Sequence, residues 1–156
     1  MGVALAAWAM VAPASATAQG NGHRGPPSGR DIAEKAKATK LDASQATTAN
    51  VQGKRVTVTP ADAGQLKSHS DMREGQVLGQ LDTEVAGDET GLPAGKYNLY
   101  AVEQDDGLHV YAESGGQVVG EGLRATKHSD RSSRGNKPEI TEPGWCISIW
   151  IFSFCW

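Results

Sequence analysis

Residues 97–113 read Tyr-Asn-Leu-Tyr-Ala-Val-Glu-Gln-Asp-Asp-Gly-Leu-His-Val-Tyr-Ala-Glu, two strand-like runs on either side of an Asp-Gly step. Tyr97 to Glu103 and Leu108 to Glu113 are rich in aromatic and β-branched side chains, the residues that fit a pleated, half-buried surface. Asp106-Gly107 favours a type I′ turn, in which both central residues take positive φ. With those two as the loop, Glu103 pairs with Val110 and Ala101 with Ala112. Tyr97, Leu99 and Ala101 then share one face with Leu108, Val110 and Ala112, a face to bury. Ser114-Gly115-Gly116 makes a second turn into Gln117-Val118-Val119-Gly120, which predicts a three-strand meander.

Upstream, Lys54 to Thr59 alternates and is rich in Val and Thr, as a half-buried strand should be. Gln76 to Leu81 is a further strand. Between them, Thr59-Pro60-Ala61-Asp62 has the form of a short helix start, with a cap residue, Pro at the first helical position and an acid in the first turn. The expected fold is mainly β, a small antiparallel β-sandwich over 51–126. The length of 156 residues suits one ordinary domain with tails, and 38% hydrophobic residues with 19 glycines allow only a modest core.

Gly91-Leu92-Pro93-Ala94-Gly95-Lys96-Tyr97-Asn98-Leu99 resembles the Leu-Pro-x-Gly-x-Tyr element of prealbumin-like and carboxypeptidase-regulatory-like β-sandwich domains. The resemblance covers roughly Val77 to Gly122. It implies an entry turn shaped by Pro and Gly, and a Tyr97 side chain packed at the sandwich edge where its strand begins. It carries over no catalytic residue.

The N-terminal stretch Val3 to Ala12 is apolar, Pro13 breaks it, and Ala14-Ser15-Ala16 and Ala16-Thr17-Ala18 follow. That is the apolar region and small-x-small cleavage pattern of a signal peptide over 1–18, although Met1-Gly2 brings no positive charge. The expected location is therefore exported, periplasmic or extracellular. Residues 19–50 read as a flexible linker, with a short helix over Asp31 to Ala38 capped by Asp31 and anchored by Ile32 and Leu41. Its Lys35, Lys37 and Lys40 read as a solvated face. Residues 127–143, where basic residues are spaced by Ser, Gly, Asn and Pro, read as a second linker.

After Glu142 no charged side chain remains. Trp145-Cys146-Ile147-Ser148-Ile149-Trp150 is mirrored by Ile151-Phe152-Ser153-Phe154-Cys155-Trp156. In one straight strand the cysteines stand roughly 30 Å apart, far outside the 4.4–6.8 Å that a disulfide allows between Cα atoms. A hairpin over 144–156 turning at Trp150-Ile151 instead sets every mirrored pair opposite. Cys and Ser line one side, and Trp145, Ile147, Ile149, Phe152, Phe154 and Trp156 line the other. Cys146 and Cys155 then fall at a non-hydrogen-bonded pair, about 4.5 Å apart at Cα, and an intrachain disulfide follows. The turn is poor, since neither Trp nor Ile favours positive φ. Two other arrangements compete: a single core strand completing the sandwich with unrelated thiols, and a homodimer through antiparallel C-terminal pairing. The alternating aromatics of a straight strand also resemble the terminal signal of outer-membrane barrel proteins, but the rest of the chain does not read as the eight strands of the smallest such barrel.

A chemical site is hard to find. His23, His69, His109 and His128 have no His or Cys partner at metal-ligand spacing, and His109 reads as an ordinary exposed or edge histidine. Asp105-Asp106 is explained by its turn, and Asp82, Glu84, Asp88 and Glu89 lack the spacing of an EF-hand. No nucleophile elbow or phosphate-cradling glycine pattern occurs. No catalytic residue, metal ligand or cofactor is expected. A net charge of −3 gives no basic footprint for nucleic acid, and no apolar run reaches the roughly 20 residues of a spanning helix. The reading that follows is an exported, non-enzymatic envelope or extracellular protein. Its β scaffold presents the six-residue aromatic face as an attachment surface for a membrane or an envelope protein. The alternative is a precursor from which the C-terminal 13 residues are released as a disulfide-closed hydrophobic peptide.

Overall fold

The computed structural model describes residues 26–65, 73–86, 92–127, 137–141, 146–149 and 152–155. The signal-peptide expectation over 1–18 lies outside them, as do Trp145, Trp150, Ile151 and Trp156. The fold is mainly β, with one short helix. Nine strands form a single antiparallel sheet: β1 (Thr47–Val51), β2 (Lys54–Pro60), β3 (Gln76–Thr83), β4 (Gly95–Gln104), β5 (Gly107–Ser114), β6 (Gln117–Lys127), β7 (Glu139–Thr141), β8 (Cys146–Ile149) and β9 (Phe152–Cys155). Their order across the sheet is β1-β2-β3-β4-β5-β6-β9-β8-β7. The sheet curves until it is nearly a barrel, and Thr47 Oγ1 of β1 reaches across the seam to donate to Pro138 O, 2.6 Å away, just before β7.

Alternation along the strands sorts the two sides. Val56 and Val58, Leu81, Leu99 and Ala101, and Val110 point into the curve and are buried with Tyr97, Ile147, Ile149, Phe152 and Phe154. The expected inward face of the meander, Leu99 and Ala101 against Val110 and Ala112, is present. Its register differs by two residues, with Leu99 opposite Ala112 and Ala101 opposite Val110. The turn residues are Asp105 and Asp106, and Gly107 follows at φ +126° as the first residue of β5. A type I′ turn would force an Asp to positive φ, whereas this arrangement places that conformation on the glycine alone. The type I′ pattern falls elsewhere, at Gln52 (φ +52°) and Gly53 (φ +78°) between β1 and β2.

Three further expectations change. Pro60 ends β2 opposite Gly79 rather than opening a helix, a strand-end position where its missing N–H is tolerated, and a 3-10 turn over Ala63–Gln65 follows. The supposed linker 19–50 contains ordered elements, including β1 and the helix, and the supposed linker 127–143 contains β7. Residues 144–156 are not a separate module, because β9 pairs with β6 through Ala125–Phe154, Thr126–Ser153 and Lys127–Phe152. The strand count also exceeds the eight of the smallest membrane barrel. Here the main core lies inside the curve, while Arg55, Lys96 and Arg124 lie exposed on strands.

The helix α1 (Gly29–Ala38) begins two residues earlier than expected, with Ser28 as N-cap and Asp31 in the first turn. It lies on the outside of the sheet. Ile32 is fully buried there against Val77, Tyr100, Val102 and Tyr111, with Ala36 and Val118 at the margin. These outward positions on β3, β4 and β5 form a second, smaller core that one helix turn covers. Leu41 is not part of it; it bridges to Ala61 instead.

Candidate functional site

The C-terminal hairpin brings together the residues that the sequence singled out. Cys146 stands opposite Cys155, Ile147 opposite Phe154, Ser148 opposite Ser153 and Ile149 opposite Phe152. Cys146 and Cys155 are joined within the chain by a disulfide. The single straight strand is therefore excluded, and both cysteines are engaged within one chain. On the same outward side, Ser148 Oγ and Ser153 Oγ lie 2.7 Å apart and share one hydrogen bond. Cys155 is exposed and Cys146 half-buried.

The opposite side of the hairpin corrects the expected attachment surface. Ile147, Ile149 and Phe152 are fully buried and Phe154 is 2% exposed, all within the main core. Residues 144–156 are too short to bury such a face alone, so the apolar side closes the curved sheet instead of facing a partner. Trp145 and Trp156, the other two members of that set, lie outside the described residues.

A second cluster sits where α1 meets the sheet. Lys35 Nζ donates to Glu74 O (2.9 Å) and to Tyr100 Oη (2.9 Å), and lies 5.2 Å from the centre of the Tyr100 ring. Tyr100 Oη in turn donates to Glu74 O at 2.6 Å. Beside them opens a cleft of about 390 Å³ lined by Asp31, Glu34, Lys35, Arg73, Glu74 and Gln104, among others. Charges of both signs meet there, which selects no ligand class. The sequence reading missed Lys35 because it is 39 and 65 residues from its partners; no spacing rule connects them.

At the opposite turn, His109 is buried rather than exposed. Its Nε2 lies 2.8 Å from Asp106 Oδ1, and Arg124 approaches Asp106 Oδ2 at 3.7 Å. The hydrogen bond with His109 holds the Asp106 carboxyl below its ordinary range, with the charges of His109 and Arg124 adding to it against some desolvation. This bond explains how an imidazole on the outward side of β5 becomes covered. Burial pushes the Tyr111 hydroxyl up, while its hydrogen bond with Gln104 (3.0 Å) opposes the shift. Glu113, 2% exposed, is fully engaged: Asn98 Nδ2 and the Gly116 amide each donate to its carboxylate at 2.7 Å. It fixes the Gly115-Gly116 turn.

Of the acidic loop, Glu84 takes the Arg55 amide at 2.8 Å and faces its guanidinium at 3.8 Å, whereas Asp88 and Glu89 lie outside the described residues. Among the described residues no group of three or more His, Cys, Asp or Glu is placed to hold a metal ion. Fold and hairpin together define a class, a small curved antiparallel sheet capped by one helix and closed by a disulfide-bonded C-terminal hairpin. No family model, no curated protein and no solved structure matches the chain.

Proposed function

We propose that this chain is an exported, non-enzymatic scaffold of the periplasm or cell exterior that attaches to a membrane or an envelope protein through its C-terminal end. One observation carries the reading: the only two cysteines are joined in a bond that persists in oxidising compartments and is rare elsewhere. The apolar N-terminal stretch ending in Ala-x-Ala sites points the same way. With Ile147, Ile149, Phe152 and Phe154 committed to the core, attachment falls to Trp145 and Trp156, whose amphipathic rings suit a boundary between apolar and wet surroundings. Homodimerisation through the C-terminus is not retained, because its cysteines are already paired within the chain.

Kinship of the Leu92–Tyr97 element with prealbumin-like modules is part of the same proposal and rests on its sequence alone. Tyr97 is buried at the start of β4, and its hydroxyl donates to Pro93 O at 2.5 Å. The peptide-precursor alternative has less support. Release of the last 13 residues would take four buried side chains out of the core.

Intact-mass analysis of the native exported fraction tests the reading. The expected species lacks an N-terminal segment, retains Trp156 and is two hydrogens lighter than its reduced form. Recovery of a separate C-terminal peptide, or of the full chain with free thiols in the cytoplasm, overturns it. Co-sedimentation with envelope membranes should persist for the intact protein and weaken for the W145A/W156A variant.

A further inference from the structure

The outward side of the β8–β9 hairpin carries a disulfide that a scaffold does not need to expose. We propose that Cys146–Cys155 is a reversible thiol-exchange site, a latch that holds β8 against β9 and that a protein dithiol opens. The inference rests on the bond and the strand order, and goes beyond the attachment reading.

Three observations carry it. The bond lies on the side of the hairpin away from the core, at the end opposite the turn, and Cys155 is exposed, so a thiolate can approach without unfolding the protein. Besides this bond, the Ser148–Ser153 contact and the packing of the inner side hold the hairpin's two strands in register, and the turn adds little. Its turn sequence, Trp150-Ile151, lacks the Gly, Asn or Asp that accept positive φ, and each strand is only four residues long. Finally, the same residue pairs bury Ile147, Ile149, Phe152 and Phe154 on their inner side, while β9 joins the rest of the sheet through only three residue pairs with β6. Splaying β8 from β9 therefore uncovers the core at one place, the seam between these two strands, and leaves β9 on β6 and the meander of β2 to β5 intact.

The chemistry balances as a two-electron exchange. A thiolate of the dithiol partner attacks Sγ of Cys155, a mixed disulfide forms, and Cys146 leaves as a thiolate that takes up a proton. The partner's second thiol then attacks the partner sulfur of the mixed disulfide and expels Cys155. The partner ends as a disulfide, and this chain gains two thiols. Removing a cross-link that closes so short a loop should raise the population of the opened hairpin roughly 30- to 100-fold.

Amide hydrogen exchange on the full chain, before and after titration with dithiothreitol under native conditions, tests the latch. The expected result is exchange roughly 30- to 100-fold faster over 146–149 and 152–155, unchanged exchange over β3, β4 and β5, and recovery on reoxidation. The C146S/C155S variant should show the same fast local exchange without dithiothreitol and no response to it. A Cys-x-x-Cys protein stripped of its resolving thiol should be trapped as a mixed disulfide on Cys155. The proposal is overturned if the bond resists dithiothreitol until the whole chain unfolds, or if exchange is the same in both states. It is equally overturned if protection is lost throughout the sheet at once, or if the trapping protein is captured on neither cysteine.

Discussion

The hairpin between β5 and β6 turns on Gly115 (φ +60°) and Gly116 (φ +84°), and Glu113 clamps it by accepting the Gly116 amide. The hairpin between β8 and β9 has the sequence Trp150-Ile151, without glycine, between its strands and is clamped by a covalent bond at its far end. The first obtains its register from local backbone preference, so its strands can form before anything packs on them. The second obtains its register from cross-strand chemistry, Cys with Cys and Ser with Ser, and from the core that its other side fills. A poor turn is therefore compatible with a single register when both sides of the ribbon agree on the pairing.

The largest effect should come from the side of the second hairpin that faces the core. Phe152→Ala removes a fully buried ring at the junction with β6, and should cost about 3–5 kcal/mol in chemical denaturation. Leu99→Ala, in the middle of β4 and 2% exposed, should cost about 2–5 kcal/mol. Comparable losses would make the hairpin part of the same cooperative unit. A Phe152→Ala loss near zero would break the comparison by showing that the hairpin is an appendage. For the same reason, deletion of Gly144 to Trp156 should destabilise the sheet rather than leave it intact.

Next in size is the bond. Replacing both cysteines by serine should cost up to about 2–3 kcal/mol, read as a fall in the denaturation midpoint of the oxidised protein. Gly116→Ala should follow at about 1–2 kcal/mol, because a Cβ there meets nothing within 4 Å and the cost is that of the left-handed backbone alone. If Gly116→Ala costs more than loss of the disulfide, the covalent clamp is the weaker of the two devices.

What the sequence made legible follows from the same contrast. Alternation with period two set the faces of β4, β5, β8 and β9, because parity survives an error in the turn. Thus Leu99, Ala101 and Val110 point inward even though their register differs by two residues from that expected for Asp106-Gly107. The mirror of the last 12 residues set both register and disulfide, since it matched Cys with Cys, Ser with Ser and Ile with Phe. Which side of that hairpin faces the core was not legible. An apolar ribbon reads alike whether it meets a membrane, a partner or the inside of its own sheet, and only the pairing of β9 with β6 decides. The strand β1 was missed because Thr47-Thr48-Ala49-Asn50 is polar at an edge, and its turn is Gln52-Gly53 rather than a commoner Asn-Gly. Ile32 was read as an anchor, but the patch that it covers is assembled from outward positions on three strands.

The smallest expected effect concerns the β4–β5 turn, which has neither paired glycines nor a covalent bond and instead carries the Asp106–His109 contact. The hydrogen bond with His109, foremost, lowers the Asp106 carboxyl in the folded state, and the charges of His109 and Arg124 act in the same direction. A carboxyl that holds its proton less tightly when folded than when unfolded favours folding wherever the unfolded form has ionised, that is, above the ordinary value of 3.8. As pH falls below that value, the unfolded chain takes up the proton first, and the contribution fades until the folded carboxyl is protonated too. Asp106 is exposed, so solvent screening keeps the effect modest. Denaturation midpoints measured from pH 6 downward should therefore fall slightly less for Asp106→Asn than for the parent chain. The difference should be confined to the acid limb, and exchange of the His109 amide should report it first. A parallel fall in both proteins would show that the turn is held by Gly107 and its flanking pair, Gln104 with Gly107, and that the His109 contact is incidental to it.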